Sequence, residues 1–161
     1  LRDVISAVRT EVQLAAKASD NTLVPALTKI AINAAPAPKC PTEIVFQRPR
    51  NASGKLWTSA IRFRYYNEDT NGNALLDPGE DTDGDKVLSR RIQRIQDVNG
   101  DGDTADPGEV RVVGGGNDLS NAVFTLNGNV VRVQLTSTQL EPGRKDHPVR
   151  MSLTSDVYLQ N

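Results

Sequence analysis

Between Glu68 and Glu109 the chain packs acidic residues and glycines at the spacing a calcium ion requires, in the stretches EDTNGNALLDPGEDTDGD and DVNGDGDTADPGE. Twelve of the 20 Asp and Glu residues fall here, against four basic residues (Lys86, Arg90, Arg91, Arg94), an excess of eight negative charges. A folded loop holds such carboxylates a few ångströms apart, where unscreened like charges repel by several kcal/mol. A divalent cation relieves that repulsion, so the segment is expected to fold around one to three calcium ions.

Calcium takes six to eight oxygens from a flexible loop, side chains alternating with a backbone carbonyl and a bidentate carboxylate closing the ring. The first loop fits the pattern D-x-[DN]-x-[DN]-G-x₅-E at nearly every ligand position. Asp69, Asn71 and Asn73 stand at positions one, three and five. Leu75 supplies its carbonyl at seven, Asp77 stands at nine, and Glu80 closes at twelve. Ala74 departs from the pattern at position six, where glycine normally makes a turn at positive φ.

The third loop runs Asp97, Asn99, Asp101 and Asp103, with Gly102 sixth. Its acidic closers Asp106 and Glu109 arrive one residue late, which reads as a lengthened variant. The middle loop opens with Asp81, Asp83 and Asp85 but has Ile92 where the closing carboxylate belongs. It needs an acid from elsewhere, such as Glu109, or else it is a solvated loop. Magnesium suits these loops less, since it prefers a rigid octahedron and keeps its waters. Zinc lacks the His and Cys it favours.

Helices flank such loops in EF-hands and dockerins, but here the flanks read as strands. SAIRFRYY alternates Ile61, Phe63 and Tyr65 with Arg62, Arg64 and Tyr66, and EVRVV follows the third loop. The ions are therefore expected to brace long loops rather than to move a helix pair.

A chain of 161 residues suits one domain with a substantial core. Its net charge of −1 gives no general signal for nucleic acid or an acidic membrane surface. The lone Cys40 permits no internal disulfide. Calcium loops of modest affinity point outside the cytoplasm. No apolar stretch is long enough to span a membrane, and a start at Leu1 within a helical pattern reads as a trimmed N-terminus.

Leu1, Val4, Ile5, Val8, Val12, Ala15 and Ala16 repeat at helical spacing, predicting one long amphipathic helix. A short second helix is read in Leu23–Ile32, and 34–41 as an Ala/Pro-rich connector. Strands are expected at Glu43–Gln47, Ser59–Tyr66, Arg90–Ile95, Glu109–Val113, Val123–Leu126, Val130–Leu135, Val149–Leu153 and Val157–Leu159. Asn127-Gly128 marks a tight hairpin between two of them, and Gly114-Gly115-Gly116 a flexible loop. The expected class is α+β: an N-terminal amphipathic helix packed on antiparallel sheet, with long calcium loops at 67–109 inserted in one domain over 1–161.

The chain resembles the periplasmic part of type IV pilin-like proteins, above all minor pseudopilins of type II secretion and minor pilins of type IV pili. LRDVISAVRTEVQLAA is similar to the exposed half of the pilin helix. IRFRYYNE, LSRRIQRIQ, DLSNAVFTLNGNVVRVQLTST and EPGRKDHPVRMSLTSDVYLQN resemble that family's strand segments, although Gln160 stands where a closing arginine is common. The resemblance covers about 60 % of the chain, mostly from Ser59 onward, and lacks the diagnostic prepilin cleavage site. It implies an upstream apolar helix anchored in the bacterial inner membrane, partners that are other pilins or pseudopilins in a filament, and a domain on the periplasmic or extracellular face.

Catalysis has little to work with. His147 is the single histidine and is expected in a polar turn; Cys40 sits in the connector; Trp57 is expected to pack at a sheet edge rather than stack a sugar. No enzyme and no small-molecule substrate is expected. The runner-up is an extracellular calcium-dependent binding or adhesion module, dockerin-like or carbohydrate-binding, which helices on both sides of the loops would favour.

Overall fold

The computed structural model describes residues 1–15, 42–50, 56–116, 119–127, 130–141 and 144–159. Their order is helix α1 (Arg2–Gln13), then strands β1 (Glu43–Phe46), β2 (Ile61–Asn67), β3 (Arg90–Gln96), β4 (Val110–Gly115), β5 (Leu119–Asn127), β6 (Val130–Glu141) and β7 (Arg144–Tyr158). Strands β1 to β4 form one antiparallel sheet in chain order, and β5 to β7 a second.

This architecture corrects the expectation of an α+β fold led by a long helix packed on a sheet. The described residues are 48 % strand and 10 % helix. Periodicity in the sequence carries the apolar stripe to Ala16, but helical backbone ends at Gln13, with exposed Leu14 as its C-cap. Four β-branched residues (Val4, Ile5, Val8, Val12) line the buried face and favour helix only weakly, so the helix persists only where packing holds it. The strands exceed expectation: the two C-terminal candidates merge into the 15-residue β7, whose partner β6 spans 12 residues. His147, expected in a polar turn, falls instead within the span of β7.

Alternation in β2 is as read, with Ile61 and Phe63 buried and Arg62 and Arg64 exposed. The rings of Phe46 and Phe63 stack at 5.8 Å between centroids. With Ile44 and Ile92 they meet Val4, Val8 and Val12 of α1 and Leu119, Phe124, Val133, Leu135 and Val157 of the second sheet in one core. The helix touches β4, β6 and β7. Its polar side is tied down by Glu11, which accepts from Arg94 Nε at 2.8 Å and pairs with Arg48 at 3.5 Å.

Gly114 and Gly115, expected in a flexible loop, end strand β4. A β-carbon on Gly114 would collide with the Val4 side chain, so glycine is what lets helix and strand approach. Trp57 is half-buried and bridges Pro49 in an isolated antiparallel pair outside the two sheets. Asn127 pairs with Val130, which shifts the two-residue connection one place along to 128 and 129. Those two residues, the second helix and connector read in 16–41, and Cys40 lie outside the described residues.

Candidate metal centres

The β2–β3 connection holds the first and middle loops, and the β3–β4 connection holds the third. Each opens on an aspartate whose carboxylate gathers the amides that follow. Asp69 Oδ1 accepts from Gly72 N at 2.7 Å and Oδ2 from Ala74 N at 3.1 Å. Asp81 does the same with Gly84 N (2.7 Å) and Lys86 N (3.1 Å), and Asp97 with Gly100 N (2.5 Å) and Gly102 N (3.1 Å).

Side chains at positions three and five then hold the amide two residues on, the Asx-turn that short polar side chains favour. Asn71, Asp83 and Asn99 Oδ1 accept from Asn73, Asp85 and Asp101 N at 3.0, 3.2 and 3.0 Å. Asn73, Asp85 and Asp101 Oδ1 accept from Leu75, Val87 and Asp103 N at 2.8, 2.7 and 3.1 Å. In the third loop Asp103 adds one further turn, accepting from Ala105 N at 2.9 Å, which accounts for the extra residue before its closers. Position six takes positive φ in all three: Ala74 at 63°, Lys86 at 61° and Gly102 at 95°. The glycine expected there is present only in the third loop, so two loops carry a side chain in a region that disfavours it.

The closing carboxylates are buried glutamates that staple both ends of their loops. Glu80 Oε1 accepts from Thr70 N (2.8 Å), Thr70 Oγ1 (2.7 Å) and Asn71 N (3.3 Å), while Oε2 accepts from Asp77 N (3.0 Å). Glu109 Oε1 accepts from Val98 N (2.8 Å) and Oε2 from Asp106 N (3.2 Å). Both sit at the end of an Asp-Pro-Gly-Glu turn whose Glu N–H donates to the Asp carbonyl, at 3.0 and 3.2 Å.

Glu109 therefore belongs to the third loop and does not complete the middle one, as sequence reasoning had allowed. Glu68, immediately upstream of the first loop, does so instead. Its Oε1 accepts from Thr82 N (3.1 Å), Thr82 Oγ1 (3.2 Å) and Asp83 N (3.3 Å), and Oε2 from Ser89 N (2.9 Å), the same relative positions that Glu80 holds. The sequence carries a signal for this: Glu68-Asp69-Thr70-Asn71-Gly72-Asn73 repeats as Glu80-Asp81-Thr82-Asp83-Gly84-Asp85.

Asp77 Oδ2 faces positions three and five across the first loop, accepting from Asn71 and Asn73 Nδ2, each at 2.7 Å. Asp106 Oδ2 and Asp101 Oδ2 likewise accept from Asn99 Nδ2 at 2.5 and 3.0 Å. Leu75 is exposed, and only its backbone takes part in the loop. In the middle loop one carboxylate oxygen each from Glu68, Asp83 and Asp85 lies within 4.8 Å of the others. An ion 2.3–2.6 Å from each ligand, the calcium range, can bridge oxygens up to about 5 Å apart. The donors are oxygens only, so the residues fit a hard cation.

The charge balance differs among loops. Arg90 Nη2 pairs with Asp69 Oδ2 in the first, and Arg91 Nη2 with Asp83 Oδ2 at 2.6 Å in the middle one, where Arg91 also lies 4.7 Å over the Tyr66 ring. Among the described residues no Lys or Arg pairs with a third-loop carboxylate. Burial pushes the Glu68 carboxyl up, but the Tyr66 hydroxyl and the amides of Ser89, Thr82 and Asp83 outweigh it and hold it at about 2. Glu80 is lowered by the Thr70 hydroxyl and the Asp77 amide, and Asp101 by the Asp103 amide and the Asn99 side chain. All three carboxyls are thus held in the ionised form.

The chain matches no protein-family model, no curated protein and no solved structure.

Proposed function

We propose that this chain is a calcium-stabilised structural and assembly domain working outside the cytoplasm, as a minor pilin of a type IV pilus or a minor pseudopilin of type II secretion. The observation that supports it most is the shared build of the three loops. Each is closed by a buried glutamate, and each is suspended between strands β2, β3 and β4. Ions in such loops brace the rim of a sheet. They have no helix pair to open, which counts against a dockerin-like module. Asp69, Asn71, Asn73, the Leu75 carbonyl, Asp77 and Glu80 would hold one ion. Glu68, Asp81, Asp83 and Asp85 would hold a second, and Asp97, Asn99, Asp101, Asp103, Asp106 and Glu109 a third.

The assembly role rests on the resemblance of the strand segments to pilin-like proteins. Filament neighbours would be other pilins or pseudopilins. No helix among the described residues is long and apolar enough to cross a membrane, and the resemblance to pilin-like proteins would put the anchor upstream of Leu1. Reading the gene upstream tests this directly. A prepilin peptidase site followed by about twenty apolar residues is expected, and an upstream region lacking both overturns the pilin assignment while leaving the calcium loops standing.

A further inference from the structure

Strand β7 leaves a long edge of its sheet open. Among the sheet edges, β1 has four residues, β4 has six with a bulge in its pairing to β3, and β5 carries a register irregularity near its start. Short or bulged edges resist pairing with another chain. β7 has 15 residues and pairs with β6 without interruption from Tyr158 to Pro148. Among the described residues its backbone bonds to β6 and to no other element. Its apolar side chains are uncovered, with Val149 43 %, Met151 60 % and Tyr158 70 % exposed.

Val157 lies in the core and Leu153 packs against it, so alternation puts Arg150, Ser152, Thr154, Asp156 and Tyr158 on the outer face. Arg150 is exposed and has no ion pair among the described residues. Asp156 is partly exposed and pairs with Arg132 of β6 at 2.7 Å. An antiparallel copy of β7, turned about a two-fold axis at Leu153, sets Arg150 opposite the copy's Asp156 and Asp156 opposite the copy's Arg150. Each carboxylate then lies between two guanidiniums, and its lone pairs suffice for both. The same register sets Ser152 against Thr154, Val149 against Val157 and Pro148 against Tyr158. Moving the axis one residue either way leaves both charges opposite uncharged side chains.

We propose that β7 is the interface of a symmetric dimer, in which two copies of this chain join their β5–β6–β7 sheets into one continuous sheet through 148–158. Backbone bonds and the covered apolar side chains hold the copies together. The exposed ion pairs add little affinity and fix the register. Pro148 has no N–H to offer, which ends the pairing there. A two-fold contact uses the same edge on both copies, so assembly closes at two. A strand from another protein would find the same backbone groups but not the reciprocal charges. The inference depends neither on the metal loops nor on a filament.

Sedimentation velocity of the full chain over a concentration series tests it, and a monomer–dimer equilibrium is expected. Arg150→Asp sets carboxylate against carboxylate twice and should weaken the dimer at least about tenfold, with an unchanged unfolding temperature. Asp156→Arg should weaken it similarly. An equimolar mixture of the two variants should dimerise more tightly than either alone, because both facing positions again hold opposite charges. A spin label on Thr154→Cys in a Cys40→Ser chain gives a second reading that needs no charge change. Its counterpart across the axis sits diagonally at about 7–8 Å, so dimeric samples should show dipolar broadening. A chain that stays monomeric, a dimer indifferent to Arg150→Asp, no recovery on mixing the folded variants, or an unbroadened spectrum in dimeric samples would overturn the proposal.

Discussion

Glu68 and Asp69 are consecutive in the chain but serve different loops. Glu68 Oε2 accepts from Ser89 N at 2.9 Å and closes the middle loop, while Asp69 Oδ1 accepts from Gly72 N at 2.7 Å and opens the first. Glu80 and Asp81 mirror them, closing the first loop and opening the middle one. The two loops are interlocked through two peptide bonds.

Cooperative binding follows for this pair. Ordering one loop fixes a ligand of the other, so the second ion meets a site whose ordering cost is already met. A calcium titration is expected to show a Hill coefficient above one. Glu68→Gln should remove both the cooperativity and the middle site. It should also lower the stability of the metal-free protein by about 2 kcal/mol, since it leaves several amides facing a poorer acceptor. Independent, equal sites in both proteins would count against the interlock.

Acid should unfold the metal-free domain through these glutamates. A carboxyl whose folded pKa is depressed adds stability that is present above its unfolded value of about 4.3 and is lost as pH falls through the folded value. For Glu68 that folded value is about 2, and Glu80 shifts in the same direction. Denaturation midpoints are expected to fall from roughly pH 4.5 down to about 2, and the fall should shrink in Glu68→Gln. A flat profile over that range is the contrary result.

Two substitutions probe the positive-φ positions. Ala74→Gly should stabilise by up to about 1 kcal/mol, and Gly102→Ala, at the equivalent place in the third loop, should cost about as much. Thermal unfolding reads both. A loss of stability in Ala74→Gly would mean that its 63° φ carries little strain.

The helix contact has its own test. Gly114→Ala drives a methyl into Val4 and should cost about 1–3 kcal/mol by overpacking. Val4→Ala in the same chain should recover part of that loss. Additive losses in the double variant would show that the two residues do not meet.

The turn-by-turn build of the first and third loops is a local property of sequence, because side chains two apart each hold a nearby amide. The role of Glu68 is not local: its partners Thr82 and Ser89 lie 14 and 21 residues away, and only the repeated Glu-Asp-Thr hexad hints at them. The strand character of β2 follows from period-two alternation. The extent of α1 and β7 does not, because tertiary packing decides it. Helical periodicity runs past Gln13 where the helical backbone stops, and β7 reaches Arg144 because β6 runs far enough to pair Glu141 with it. Gly114 read as a loop signal, since nothing local announces that Val4 will lie against it.

Native mass spectrometry of chelator-treated protein, with calcium then added back, tests the central claim most directly. Three bound ions are expected, together with a rise in unfolding temperature that follows mass action. A mass that stays at the bare chain's value, with unfolding indifferent to calcium and chelator alike, would contradict it.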